Sequence, residues 1–264
     1  MPPNERQDER RAVEAAPVPW APRAAPGAIA SRLALAAAVA APAAAAAGAA
    51  TAHYRVVAPL FGFRLFGLAL PLSLVAMACA LVALVRTRRE QSSAAWRRSQ
   101  RAAVGGALCF AVMFGLALPS LGRPLINDVT TDPSAPVRFY PGGEAASACP
   151  DRLSYPAEFG PVQQAAYPHL APLYLKERPA EVFERARRAL ASLPNARLTL
   201  VDEDRMHVEA VVESRIFHFA DDVAVEVRPY GRGSRVDVRS RSRVGRGDLG
   251  ANALRVETLL ALLD

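Results

Sequence analysis

From Leu65 to Val85 the chain reads LFGLALPLSLVAMACALVALV, twenty-one residues without a charge. At 1.5 Å per residue that makes about 31 Å of helix, enough to cross the hydrocarbon core of a bilayer. Ala102 to Leu121, AAVGGALCFAVMFGLALPSL, is equally uncharged and about 30 Å long as a helix. A soluble core helix can be apolar on every side, but two runs of this length joined by an arginine-dense link read as a membrane hairpin. A third run, Leu33 to Ala52, is nearly all alanine with Pro42 at its middle. Alanine adds little to insertion compared with leucine or phenylalanine, so this run is read either as an uncleaved first span or as the apolar region of a signal peptide. The long polar stretch before it favours the span.

The link between the two stronger runs carries Arg86, Arg88, Arg89, Arg97, Arg98 and Arg101 against the single acid Glu90. The excess of arginine in so short a loop places it in the cytoplasm and the chain after Leu121 on the other side, which for a bacterial inner membrane is the periplasm. The outer loop from His53 to Phe63, which contains Tyr54 and Arg55 and is followed by Arg64, reads as interfacial. No acid, lysine or histidine pair lies within the runs, which argues against a proton-coupled transporter.

Charge is uneven along the chain. Through Leu121 there are thirteen arginines against five acids, whereas Gly122 to Asp264 is close to neutral at −1, within a total of +7. The basic excess therefore sits beside the apolar runs, and nucleic acid is excluded as a partner. Cys79, Cys109 and Cys149 are too far apart for a CxxC metal site or a disulfide framework.

Four regions follow: a disordered start over 1–30, a membrane region over 31–121 with spans near 33–52, 65–85 and 102–121, an extended proline-rich wrap over 122–178, and an α+β core over 179–264. In the core, Pro179 opens AEVFERARRALASL, whose apolar residues recur at helical spacing, with Glu181 and Arg185, and Glu184 and Arg188, set as i,i+4 pairs. Period-two alternation then marks strands at 197–201, 206–219, 223–228 and 235–244, with turns at Ala220 to Asp222 and Pro229 to Ser234. Asp248 caps a last helix that runs to Leu263. The expected fold is α+β: a four-stranded antiparallel sheet with both helices on one face.

Four stretches in order carry a family likeness: INDVTTDP (Ile126 to Pro133), YPAEFGPVQQAAYPHLAPLYL (Tyr155 to Leu175), FHFADDVAVEV (Phe217 to Val227) and VDVRSRSRVGRGDLGANALRV (Val236 to Val256). The chain from about Gly122 to Asp264 resembles the domain-of-unknown-function 1499 family. LPNARLTL stands where that family's pattern has Gly-Trp at the helix end. The resemblance implies a membrane context and carries no reaction or cofactor.

In RSRSRVGRGDLGAN the side chains of Arg239, Arg241 and Arg243 share one face of a strand, opposite the helix-covered one. They form either a ladder of ion pairs with Asp222, Glu226, Glu209 and Glu213, or, with Arg246, Asp248, Asn252 and the amides of the last helix, a site for a phosphate or carboxylate. An anionic lipid headgroup or cell-wall fragment fits the second reading, with an envelope protein as the other partner. A rival site joins His218, Asp221 and Asp222 as a tethered hydrolase. Asn127, Asp128, Thr130 and Asp132 offer oxygen atoms for a cation, although Asn, Asp and Thr before proline are more often turn formers. No GxSxG, HExxH or P-loop is present. The function expected is thus a non-catalytic binding or architectural module of the envelope, without cofactor or metal.

Overall fold

The computed structural model describes residues 27–148, 150 and 153–264. The expected disordered start lies almost wholly outside them, as does Cys149. Three helical rods come first. Helix α1 spans Ala28–His53, α2 spans Pro59–Gly67 and runs through Leu68 into α3, Ala69–Thr87, and α4 spans Ala94–Ala117 with one 3-10 turn after it. All three rods are long and apolar enough to cross a membrane: 26 residues for Ala28–His53, 29 for Pro59–Thr87 and 27 for Ala94–Ser120. The alanine-rich run is helical through Pro42, and all three rods extend past the charge-free runs. Arg97, Arg98 and Arg101 lie in the first turns of α4, which Ser93 caps by accepting from the Trp96 amide at 3.1 Å. The expected interfacial loop ends early, because Pro59 fixes a helical φ and starts α2.

Small residues let the rods touch. A Cβ at Gly48 of α1 would lie 2.5 Å from the Gly62 carbonyl oxygen of α2, and one at Gly106 of α4 would lie 3.2 Å from that of Ser73 on α3. Short connections make the rods antiparallel, and Gly27 at the start of α1 meets Thr87 at the end of α3. Hence the arginine-rich link and the C-terminal domain occupy opposite ends of the bundle.

The domain is built on one antiparallel sheet: β1 (Asp128–Thr130), β2 (Leu173–Leu175), β3 (Ala196–Asp202), β4 (His207–Glu213), β5 (Ala220–Tyr230) and β6 (Gly233–Ser242). The order is β1-β6-β5-β4-β3, with β2 also paired to β6. The sheet has six strands, not four. The two extra ones come from the proline-rich segment and are three residues each, too short to show a period, yet they cover the outer edge of β6 at Arg239 to Arg241 and Ser234 to Val236. A Cβ at Gly233 would lie 2.0 Å from the Leu175 carbonyl oxygen, so glycine is what lets β2 approach. The expected long strand 206–219 stops at Glu213. Ser214 to Phe219 is a turn, closed by Ser214 donating its amide to the Phe219 carbonyl, and β5 begins at Ala220 where a turn was expected.

Helices α7 (Pro179–Ser192) and α8 (Ala251–Leu263) both lie on one face, as the alternation predicts. Val182, Phe183, Leu190, Val256 and Leu259 pack there on Val208, Val223, Val225, Val236 and Val238. On α7 the i,i+4 pairs are not made. Glu184 instead bonds Arg187, and Arg185 reaches Glu177. The other face is covered too. The described parts of the strap between Thr131 and Glu158, with the short helix α5 (Glu144–Ala148), lay Val137, Phe139, Ala145 and Leu153 on Ala224. After it come α6 (Phe159–Ala166) and β2.

Candidate functional site

The strap converts a charged strand into a buried one. Arg239 and Arg241 are 1% and 4% exposed, where an open face was expected. Arg239 binds Asp128 through two parallel bonds, and its Nη1 donates to the carbonyls of Val137 and Leu153 at 2.9 and 3.0 Å. Its guanidinium lies 4.9 Å from the Phe139 ring centroid and 5.7 Å from that of Tyr155. Arg241 shares Phe139 from 4.8 Å and donates to Asp222 at 2.7 Å. Arg243 donates to the other oxygen of Asp222 at 2.7 Å and to Glu144 at 3.0 Å. The ion-pair ladder of this stretch is formed. Its partners are Asp128, Asp222 and Glu144, while Glu226 bonds Arg228, Glu209 bonds His207 and Glu213 bonds Arg55.

Burial drives the Asp128 carboxyl up from its ordinary value, against the opposing pull of Arg239. Glu144 at the rim is lowered, first by its hydrogen bond from Arg197. Asp132 lies across the strap. Burial opposes its charge, but bonds from Ser134 and Arg235 outweigh that and hold it at about 2. Arg235 also grips Asp237 by its Nε and Nη2, and Arg228 adds a third cationic donor.

The other expected sites separate. Asp221 and Asp222 are successive strand residues and point to opposite faces. Asp222 serves Arg241 and Arg243, whereas Asp221 turns to the helix layer and accepts from Arg255 at 2.8 Å, burial raising its carboxyl. His218 is in the β4–β5 turn, on Glu213 and the His53 carbonyl. The three are not brought together. Nor do Asn127, Asp128 and Asp132 form a cage: Asn127 donates to the Gly245 carbonyl, Asp128 binds Arg239, and Asp132 binds Ser134 and Arg235. No cluster of three potential metal ligands occurs among the described residues.

Asp248 accepts from the amides of Gly250 at 2.9 Å and Asn252 at 2.7 Å, but the residue at the N-cap position of α8 is Gly250, not Asp248 as expected. The last helix starts at Ala251, three residues beyond Asp248. Asn252 is fully buried: it accepts from Ser240 and Arg255 and donates to Ser242 and the Asn127 carbonyl. Arg246 stays exposed on the loop between.

Sequence reasoning missed the cleft that the strap makes with the sheet. It measures about 820 Å³, and its walls include Arg138, Phe139, Tyr155, Glu226 and Arg228 with Arg239 beneath. It also missed Gln163, whose side-chain amide covers the free edge of β1 by accepting from the Thr130 amide at 3.0 Å and donating to its carbonyl at 2.7 Å. The glutamine pair Gln163 and Gln164 within an otherwise apolar helical stretch was the available signal.

Fold and site together define an α+β domain, with its charged groups buried in pairs, carried on helices of membrane-crossing length. The family model described as "Protein of unknown function (DUF1499)" matches residues 128–263, and the protein belongs to that family. No curated protein and no solved structure matches the chain.

Proposed function

We propose that this is a bacterial inner-membrane protein whose periplasmic domain is a non-catalytic binding module for an anionic envelope component or envelope protein, held in the cleft beside the strap. The arginine-rich link at the far end of the bundle supports the orientation, since positive loops stay in the cytoplasm. The cleft itself carries the binding reading. It is of ligand size, it presents the rings of Phe139 and Tyr155, and Arg138 at its rim is exposed and makes no ion pair among the described residues. The binding residues therefore differ from those first expected. Arg239 lines the cleft from beneath while it holds Asp128, and Arg138 and Arg228 stand in its walls to meet a ligand. Among the described residues His218, Asp221 and Asp222 do not converge, which favours binding over hydrolysis.

The test is mass spectrometry of lipids and cell-wall fragments that accompany the full chain out of native membranes in mild detergent, beside a Ser154→Trp variant that fills the cleft. An anionic compound held by the first and missing from the second is expected. Identical profiles would count against the cleft. Alkaline phosphatase fused after Asp264 should be active in cells, and a silent fusion would put the domain on the cytoplasmic side.

A further inference from the structure

The domain is docked on its own membrane helices through the β4–β5 turn. Phe217 and Phe219 pack on Phe63 of α2 with ring centroids 5.3 and 5.7 Å apart, and Phe217 also meets Phe66 at 5.5 Å. Next to these rings Arg55 binds Glu213 at 2.6 Å, and the His218 Nε2 lies 3.0 Å from the His53 carbonyl oxygen. A cleft of about 380 Å³ opens here, lined by His53, Arg55, Asn195, Glu213, Arg215 and His218.

Four observations point to a ligand in this cleft. Arg55, Asn195 and His218 all have positive φ, at 56°, 59° and 55°. Non-glycine residues rarely adopt that conformation, and strained backbone gathers where a site needs it. Arg215 is exposed and makes no ion pair among the described residues, while the single carboxylate, Glu213, is already neutralised by Arg55. The cleft is at the end of the bundle from which the domain emerges. The β4–β5 turn and the chain after β6 leave the sheet at the same end, the Arg243 amide donating to the Ala220 carbonyl, and this end carries exposed Ile216, Val244, Leu249 and Arg246, while Arg64 is exposed on α2; neither arginine makes an ion pair among the described residues. Apolar tips ringed by arginine are the composition of a surface that rests in the headgroup layer.

We propose that this cleft takes the phosphate of an acidic phospholipid, so that the domain grips the bilayer surface by a site of its own. Arg215 and the free edge of Arg55 donate to the phosphate oxygens, and His53 and His218 form the floor. Ile216 and Leu249 dip between the chains, and Arg246 meets a neighbouring headgroup. The site is separate from the cleft beside the strap, and it rests only on the helices crossing a membrane.

The full chain in detergent, exchanged into equal amounts of phosphatidylglycerol and phosphatidylcholine, is read by native mass spectrometry for retained lipid. Wild type should keep phosphatidylglycerol preferentially. Arg215→Gln and Arg246→Gln should each lower that preference about fivefold and together about thirtyfold, the worth of one arginine near an anionic surface. Arg232→Gln, in the β5–β6 turn at the far end of β5, should leave it unchanged. Equal retention of both lipids by wild type, an unaltered preference in the folded double variant, or an equal loss in Arg232→Gln would overturn the proposal. Displacement of the lipid by millimolar glycerol phosphate would likewise overturn it, by making a free phosphate the ligand.

Discussion

The guanidinium of Arg239 meets the carboxylate of Asp128 edge to edge, Nε to Oδ1 at 2.9 Å and Nη2 to Oδ2 at 2.7 Å, joining residues 111 apart in the chain. Asp128 belongs to a three-residue strand whose Cα partners are Arg239 to Arg241. The pair thus ties the proline-rich segment to β6, in a place where neither charge reaches water.

Breaking one side of this pair strands a charge in the interior. Arg239→Met should destabilise the detergent-solubilised chain by about 3 to 5 kcal/mol in denaturant titration, and Asp128→Asn by a comparable amount. The double variant Asp128→Leu/Arg239→Met removes both charges and should recover much of the loss. A double variant as unstable as the sum of the singles would show that the pair is not an interacting unit.

Gln163 supplies one residue's worth of strand to β1. Its replacement by leucine leaves the amide and carbonyl of Thr130 buried without partners, for a cost of about 2 to 4 kcal/mol. The Thr130 amide should also exchange its hydrogen faster. Gln164→Leu, on the exposed side of the same helix, should stay within about 0.5 kcal/mol of wild type.

Asp132 sets an acid limit. Its carboxyl ionises at about 2 in the fold, against an ordinary 3.8, so the fold favours the charged form. The stability this supplies is present above pH 4 and is lost as pH falls from about 4 to about 2. Asp132→Asn should therefore cost about 2 kcal/mol at pH 7, with the gap to wild type closing by pH 2. Asp221 runs the other way. Burial raises its carboxyl, so its ionisation costs stability as pH rises past the unfolded value. A gap for Asp132→Asn that persists at pH 2 would contradict the assignment.

Much of this protein follows from sequence alone. The helices of membrane-crossing length, the placing of two helices on one sheet face, and the alternation that sends Val236 and Val238 inward while Arg239 and Arg241 point the other way all rest on local periodicity, which a single chain displays. Hydrophobic burial reads that pattern directly, because a one-residue slip would turn every valine outward. Tertiary structure alone decided what covers the second face. Two three-residue strands and a strap without a repeat have no period to read, and the strands pair with β6 through contacts about 60 residues away in the chain for β2 and about 110 for β1. That covering turned an apparently open row of arginines into buried pairs, since a guanidinium removed from water must find its carboxylate within the fold. The same folding carried the β4–β5 turn back to the bundle, placing His218 and Arg215 beside His53 and Arg55, which sequence had set apart by about 160 residues.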